Sequence, residues 1–77
     1  MEEVPITFEI AGKKYSGRFT AVHGAGQNVW HLMDTDSYYL GRLRMVNDKW
    51  VFDATDKSAE LKELADFFGD YIIAWHE

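Results

Sequence analysis

Apolar and polar residues alternate with a period of two along most of the chain up to Ala54, and short polar clusters interrupt the alternation where turns belong. Two of these turns are tight, Ala11-Gly12-Lys13-Lys14 and Val46-Asn47-Asp48-Lys49. A two-residue loop needs primed geometry, which a leading Gly supplies in a type II′ turn and an Asn-Asp pair supplies in a type I′ turn. Around Gly12-Lys13 the pattern sets Ile10 opposite Tyr15, Phe8 opposite Gly17 and Ile6 opposite Phe19, with Thr7, Glu9, Ser16 and Arg18 on the other side. Around Asn47-Asp48 it sets Met45 opposite Trp50, Leu43 opposite Phe52 and Gly41 opposite Ala54. Behind them Arg42 stands opposite Asp53 and Arg44 opposite Val51. A less marked turn at Thr35-Asp36 carries the alternation on, with Leu32 opposite Tyr39 and Trp30 opposite Gly41.

The second face of this sheet is not cleanly polar. Val29, Met33, Tyr38, Leu40 and Val51 fall on it beside Arg42 and Arg44, so something is expected to cover it. The candidates are the curl of the sheet, the terminal helix, or a second copy of the chain.

From Lys57 to Phe68 the period becomes helical, with Leu61, Leu64, Ala65 and Phe68 on one stripe and Glu60, Lys62, Glu63 and Asp66 pointing elsewhere. Thr55 or Asp56 is placed to cap this helix, and Gly69 to end it in the left-handed region. So short a helix is marginal alone and depends on docking its stripe on the sheet. The run Tyr71-Ile72-Ile73-Ala74-Trp75 then reads as a last strand, too apolar for an exposed edge. The expected fold is α+β: a curved antiparallel β-sheet or half-open small barrel of five to six strands, with one C-terminal helix and a final strand, in one domain over residues 1–77.

A chain of 77 residues buries only about 60% of its unfolded surface. It has no cysteine to supplement that core, so its aromatics, 16% of the residues, must supply much of the buried area. The formal charge of −5 is uneven, because residues 1–52 balance acids against bases and the excess acid lies from Asp53 onward. That distribution disfavours nucleic acid and anionic membranes as partners, and Arg18, Arg42 and Arg44 read as a solvated face rather than a phosphate track. No run approaches the roughly 20 apolar residues of a membrane span. The acidic opening Met1-Glu2-Glu3-Val4-Pro5 lacks the basic and apolar parts of a leader, so a cytoplasmic location is expected.

Chemistry is thinly represented. His23, His31 and His76 have no metal-ligand spacing, the aspartates sit where turns and caps use them, and Ser16, Ser37 and Ser58 lack a nucleophile turn. An enzyme is not expected, nor a metal or cofactor. The loop containing His23, Gly24, Gly26, Gln27 and Asn28 is rich enough in glycine and side-chain donors to cradle an anion, although it lacks the Gly-Lys-Ser/Thr ending of a phosphate loop and reads more simply as a connection. The leading expectation is a non-catalytic protein-interaction domain that meets a partner or a second copy through Val29, Met33, Tyr38, Leu40, Arg42 and Arg44. The competing expectation is a small-molecule or anion-binding module built on Gly24 to Asn28.

Overall fold

A computed structural model describes residues 3–22 and 28–77. Five strands, β1 (Glu3–Ile10), β2 (Lys13–Ala21), β3 (Val29–Asp34), β4 (Tyr39–Val46) and β5 (Lys49–Ala54), form one antiparallel sheet in the order β1-β2-β3-β4-β5. The sheet curls into a half-barrel. A 3₁₀ stretch, Asp56–Leu64, and an α-helix, α1 (Ala65–Trp75), follow and close its concave side by packing on β5 and β4.

The Asn47-Asp48 hairpin has the expected register, Met45↔Trp50, Leu43↔Phe52 and Gly41↔Ala54. Both central residues are left-handed, with φ of 51° and 66°, as a type I′ turn requires. The first hairpin differs. Its loop is Ala11-Gly12, with φ of 52° and 79°, so it is also type I′, and Phe8 pairs with Tyr15, Ile6 with Gly17 and Val4 with Phe19. Glycine serves the second loop position and alanine accepts the strain of the first. The slip is two residues, so every side chain keeps the face expected of it. It also lets Phe8 stack on Tyr15, with ring centroids 5.2 Å apart.

The β3–β4 connection is longer than the alternation implies. Asp34 Oδ1 accepts the N–H groups of both Asp36 and Tyr38, each at 2.9 Å, and Ser37 takes a φ of 67°. This aspartate-anchored loop shifts the pairing to Trp30↔Leu43 and Leu32↔Gly41, then introduces a bulge that pairs Met33 with Tyr39.

The last expectation fails. Residues 71–75 are helical, and Gly69 lies inside α1 instead of ending a helix at Phe68. Tertiary burial overrides the β-propensity of Tyr-Ile-Ile here, because a half-barrel of five strands leaves a concave face that a helix can fill. Phe68 and Ile72, one turn apart, extend the stripe begun by Leu61 into the core. Phe68 is the hub: its ring meets Phe8, Phe19 and Phe52 edge-on at centroid distances of 5.1, 5.3 and 5.1 Å. β1 is left as an edge strand, and it is blunted rather than extended. Pro5 has no N–H to offer, and its carbonyl accepts the Tyr71 hydroxyl at 2.6 Å.

Thr55 occupies the cap position, but its hydroxyl bonds to that of Ser58 at 2.7 Å instead of to the backbone. Ser58 in turn donates to the Leu40 carbonyl at 2.7 Å, which ties the helical segment to the start of β4.

Candidate interaction surface

The second face of the sheet carries most of the residues expected there. Across the strands, Arg44 stands between Val29 and Val51, Arg42 between His31 and Asp53, and Met33 between Arg18 and Tyr39. Two expected members lie elsewhere. Leu40 follows the bulge and packs on the rim of the core, and Tyr38 is in the loop before β4, 69% exposed.

The arginines on this face are already engaged. Arg44 Nε donates to Asp53 Oδ2 at 2.5 Å, with Arg42 Nη2 3.9 Å from the same oxygen, and Arg18 Nε donates to Glu3 Oε2 at 3.1 Å. The Arg44 hydrogen bond holds the Asp53 carboxyl below the ordinary carboxylate value, against the opposing effect of desolvation. Flanked by Val29 and Val51, the Arg44 stem is positioned to cover both, and all three are half-buried. Tyr39 and Val46 remain exposed on these strands, and the Tyr39 ring stands edge-on to His31 at 5.4 Å.

The outer side of α1 is different, and the alternating pattern of the strands did not point to it. Phe67, Ile73 and Trp75 are 46%, 48% and 51% exposed. Phe67, Tyr71 and Trp75 recur every four residues and form a ladder with 6.4 Å between successive ring centroids. Asp66 and Asp70 are exposed on the same helix, which carries no basic residue, and Glu63 and Glu77 flank it. A signal for this surface did exist in the sequence. At helical pitch, Phe68 and Ile72 make one stripe and Phe67, Tyr71 and Trp75 a second, more than one sheet face can bury.

His76 ends the helix. Its N–H groups reach the last carbonyls, with the backbone N 3.1 Å from Ile73 O and ring Nδ1 2.7 Å from Ile72 O. Of the glycine-rich loop, His23, Gly24, Gly26 and Gln27 lie outside the described residues. Asn28 is exposed, and its carbonyl accepts the Met45 N–H at 3.1 Å. Among the described residues no three His, Asp or Glu side chains gather as metal ligands, and no helix is long and apolar enough to cross a membrane.

No protein-family model, curated protein or solved structure matches this chain. Its function must be argued from these surfaces.

Proposed function

We propose that this chain is a non-catalytic protein-interaction domain that receives a basic, amphipathic segment of a partner protein along the outer side of α1. The observation that carries this reading is the Phe67–Tyr71–Trp75 ladder, exposed at Phe67 and Trp75, on a helix whose only charged residues are acidic. Aromatic anchors supply contact area at low entropic cost, and a row of acids on one side of them selects lysine- and arginine-rich partners while disfavouring others. The same charges favour a partner over a second copy, since a two-fold contact through α1 would bring Asp66 and Asp70 against their own counterparts.

The test is selection of peptides on the immobilised protein, followed by titration of the enriched sequences while amide shifts are recorded. Basic sequences with hydrophobic residues at helical or strand spacing should emerge, shift residues 66–77, and weaken as salt rises. Trp75→Ala and Phe67→Ala should each weaken binding, with Trp75→Ala leaving the denaturation midpoint nearly unchanged. Enrichment of acidic sequences, or binding indifferent to both substitutions, would refute the assignment. Reversible dimerisation abolished by Trp75→Ala would replace the partner by a second copy.

A further inference from the structure

A separate concavity lies where the sheet splays. β3 ends with Asp34 opposite Gly17, so residues 13–16 of β2 have β1 on one side and no strand partner on the other. The β3–β4 loop peels away from them, and the start of the 3₁₀ stretch forms a third wall, fixed where Thr55 N–H and the Ser58 hydroxyl both donate to Leu40 O. Between these walls is an open cleft of about 870 Å³. None of its lining residues belongs to α1.

The charges around this cleft run against those of the chain. Lys13, Lys14 and Lys57 line it in a protein of net charge −5, and none of the three forms an ion pair among the described residues. Lys13 Nζ instead sits 4.9 Å above the Tyr15 ring. Of the nearby carboxylates, Asp34 is turned back into its own loop, where it accepts two backbone N–H groups, and Glu60 accepts the Tyr15 hydroxyl. Asp56 is the other acid of the lining, so its three lysines outnumber its two carboxylates.

Aromatic surface accompanies the charge. Tyr15 stacks on Phe8 with its hydroxyl held by Glu60, so it is fixed from both ends, while Tyr38 and Tyr39, 69% and 45% exposed, stand on the opposite wall. Lys14 and Lys57 suit a charged oxyanion, because lysine acts as a mobile point charge that does not demand the planar geometry of a guanidinium pair. Tyrosine faces suit a ring attached to it. We infer that this cleft binds a small organic phosphate, its phosphate held by Lys14 and Lys57 and its ring packed against Tyr38 and Tyr39. The site is distinct from the outer side of α1 and stands or falls independently of it.

Phenyl phosphate is a suitable probe, with phenol as its uncharged counterpart, titrated into the 77-residue chain while amide shifts are followed. Phenyl phosphate should move the amides of residues 13–16, 38–40 and 57–58 saturably, with a Kd of about 1 mM or tighter, and phenol should produce no saturable change. The double variant Lys14→Gln/Lys57→Gln should bind about tenfold or more weakly while the rest of its spectrum matches the wild type, which separates lost charge from lost fold. Absence of saturable shifts with phenyl phosphate, shifts centred elsewhere, or unchanged affinity in the double variant would each overturn the proposal.

Discussion

The position of Gly69 offers the sharpest test of how the C-terminal segment folds. In the interior of a helix Gly→Ala ordinarily stabilises by about 1 kcal/mol, because alanine has less backbone freedom to lose. Here a Cβ at position 69 would fall on the indole of Trp50, well inside the 3.0 Å that real Cβ contacts respect. Trp50 is half-buried on β5 and packs against the core, so its ring is not free to swing away. Overpacking of this kind costs roughly 1–3 kcal/mol, which outweighs the helical gain and leaves Gly69→Ala destabilising by about 1–2 kcal/mol.

Destabilisation alone does not discriminate, since a glycine that terminated a helix in the left-handed region would also resist alanine. The double-mutant cycle with Trp50→Leu does. Once the indole is gone, Gly69→Ala should become stabilising by about 1 kcal/mol, giving a coupling energy near 2–3 kcal/mol. Urea denaturation followed by far-ultraviolet circular dichroism resolves this, because a domain of this size has an m-value near 1 kcal/mol/M and the midpoints separate by about 1 M or more. Equal losses in the two backgrounds would refute the contact and restore Gly69 as a terminator.

Three further outcomes follow from named contacts. Ala11→Asn puts a residue tolerant of positive φ at the strained first position of the type I′ loop and should stabilise by about 1 kcal/mol, read as a rise in Tm; no rise would mean that the strain at φ 52° is not felt. Phe68→Ala removes the ring on which three others converge and should cost about 3–5 kcal/mol, whereas Phe67→Ala, on the exposed side, should cost far less; similar losses in a thermal melt would deny the burial difference between the two. Asp53 has a depressed carboxyl value, so it stabilises the fold above its unfolded value of about 3.9 and ceases to do so as pH falls through the folded one. At 41% exposure the effect is small, and Arg44→Gln should flatten this part of the pH–stability curve and return the carboxyl carbon titration of Asp53 towards the ordinary range.

Which parts of this fold are legible in the sequence depends on what each residue pattern constrains. Asn47-Asp48 admits one common turn geometry, so the register of β4 and β5 follows directly. Gly12 admits two, depending on whether it leads or follows in the loop, and alanine at positive φ is not what propensity suggests. Facing survived because both readings share the period of two. The loop after Asp34 escaped because a carboxylate accepting two backbone N–H groups sets its length, a tertiary-like device that no alternation reveals. The same uncertainty displaced Leu40 from the expected interaction surface, since a bulge reorients the residue beside it. The helix was legible as far as Phe68. Beyond it, Gly69 looked like a stop because the indole that requires its missing Cβ comes from a strand nineteen residues earlier, and periodicity carries no information about that neighbour.

The helical choice for the last segment also explains why an exposed apolar surface exists. A strand over Tyr71–Trp75 would have divided its side chains between two faces, whereas α1 commits Phe68, Gly69 and Ile72 inward and turns Phe67, Ile73 and Trp75 outward. The core does not need the second group, because Phe68 already fills the space among Phe8, Phe19 and Phe52. A small domain with little burial to spare gains nothing by leaving an indole about half exposed in water, where each Å² of apolar surface forgoes about 25 cal/mol. The acids interleaved with these residues keep the free protein dispersed without hiding the rings. On the proposed function, a cationic partner would neutralise those acids as it covered the rings. On that proposal the aromatic ladder and its charges act as one recognition surface, and changing either half should alter partner choice: Asp66→Asn/Asp70→Asn should lower the salt dependence of binding while Trp75→Ala lowers affinity at every salt concentration.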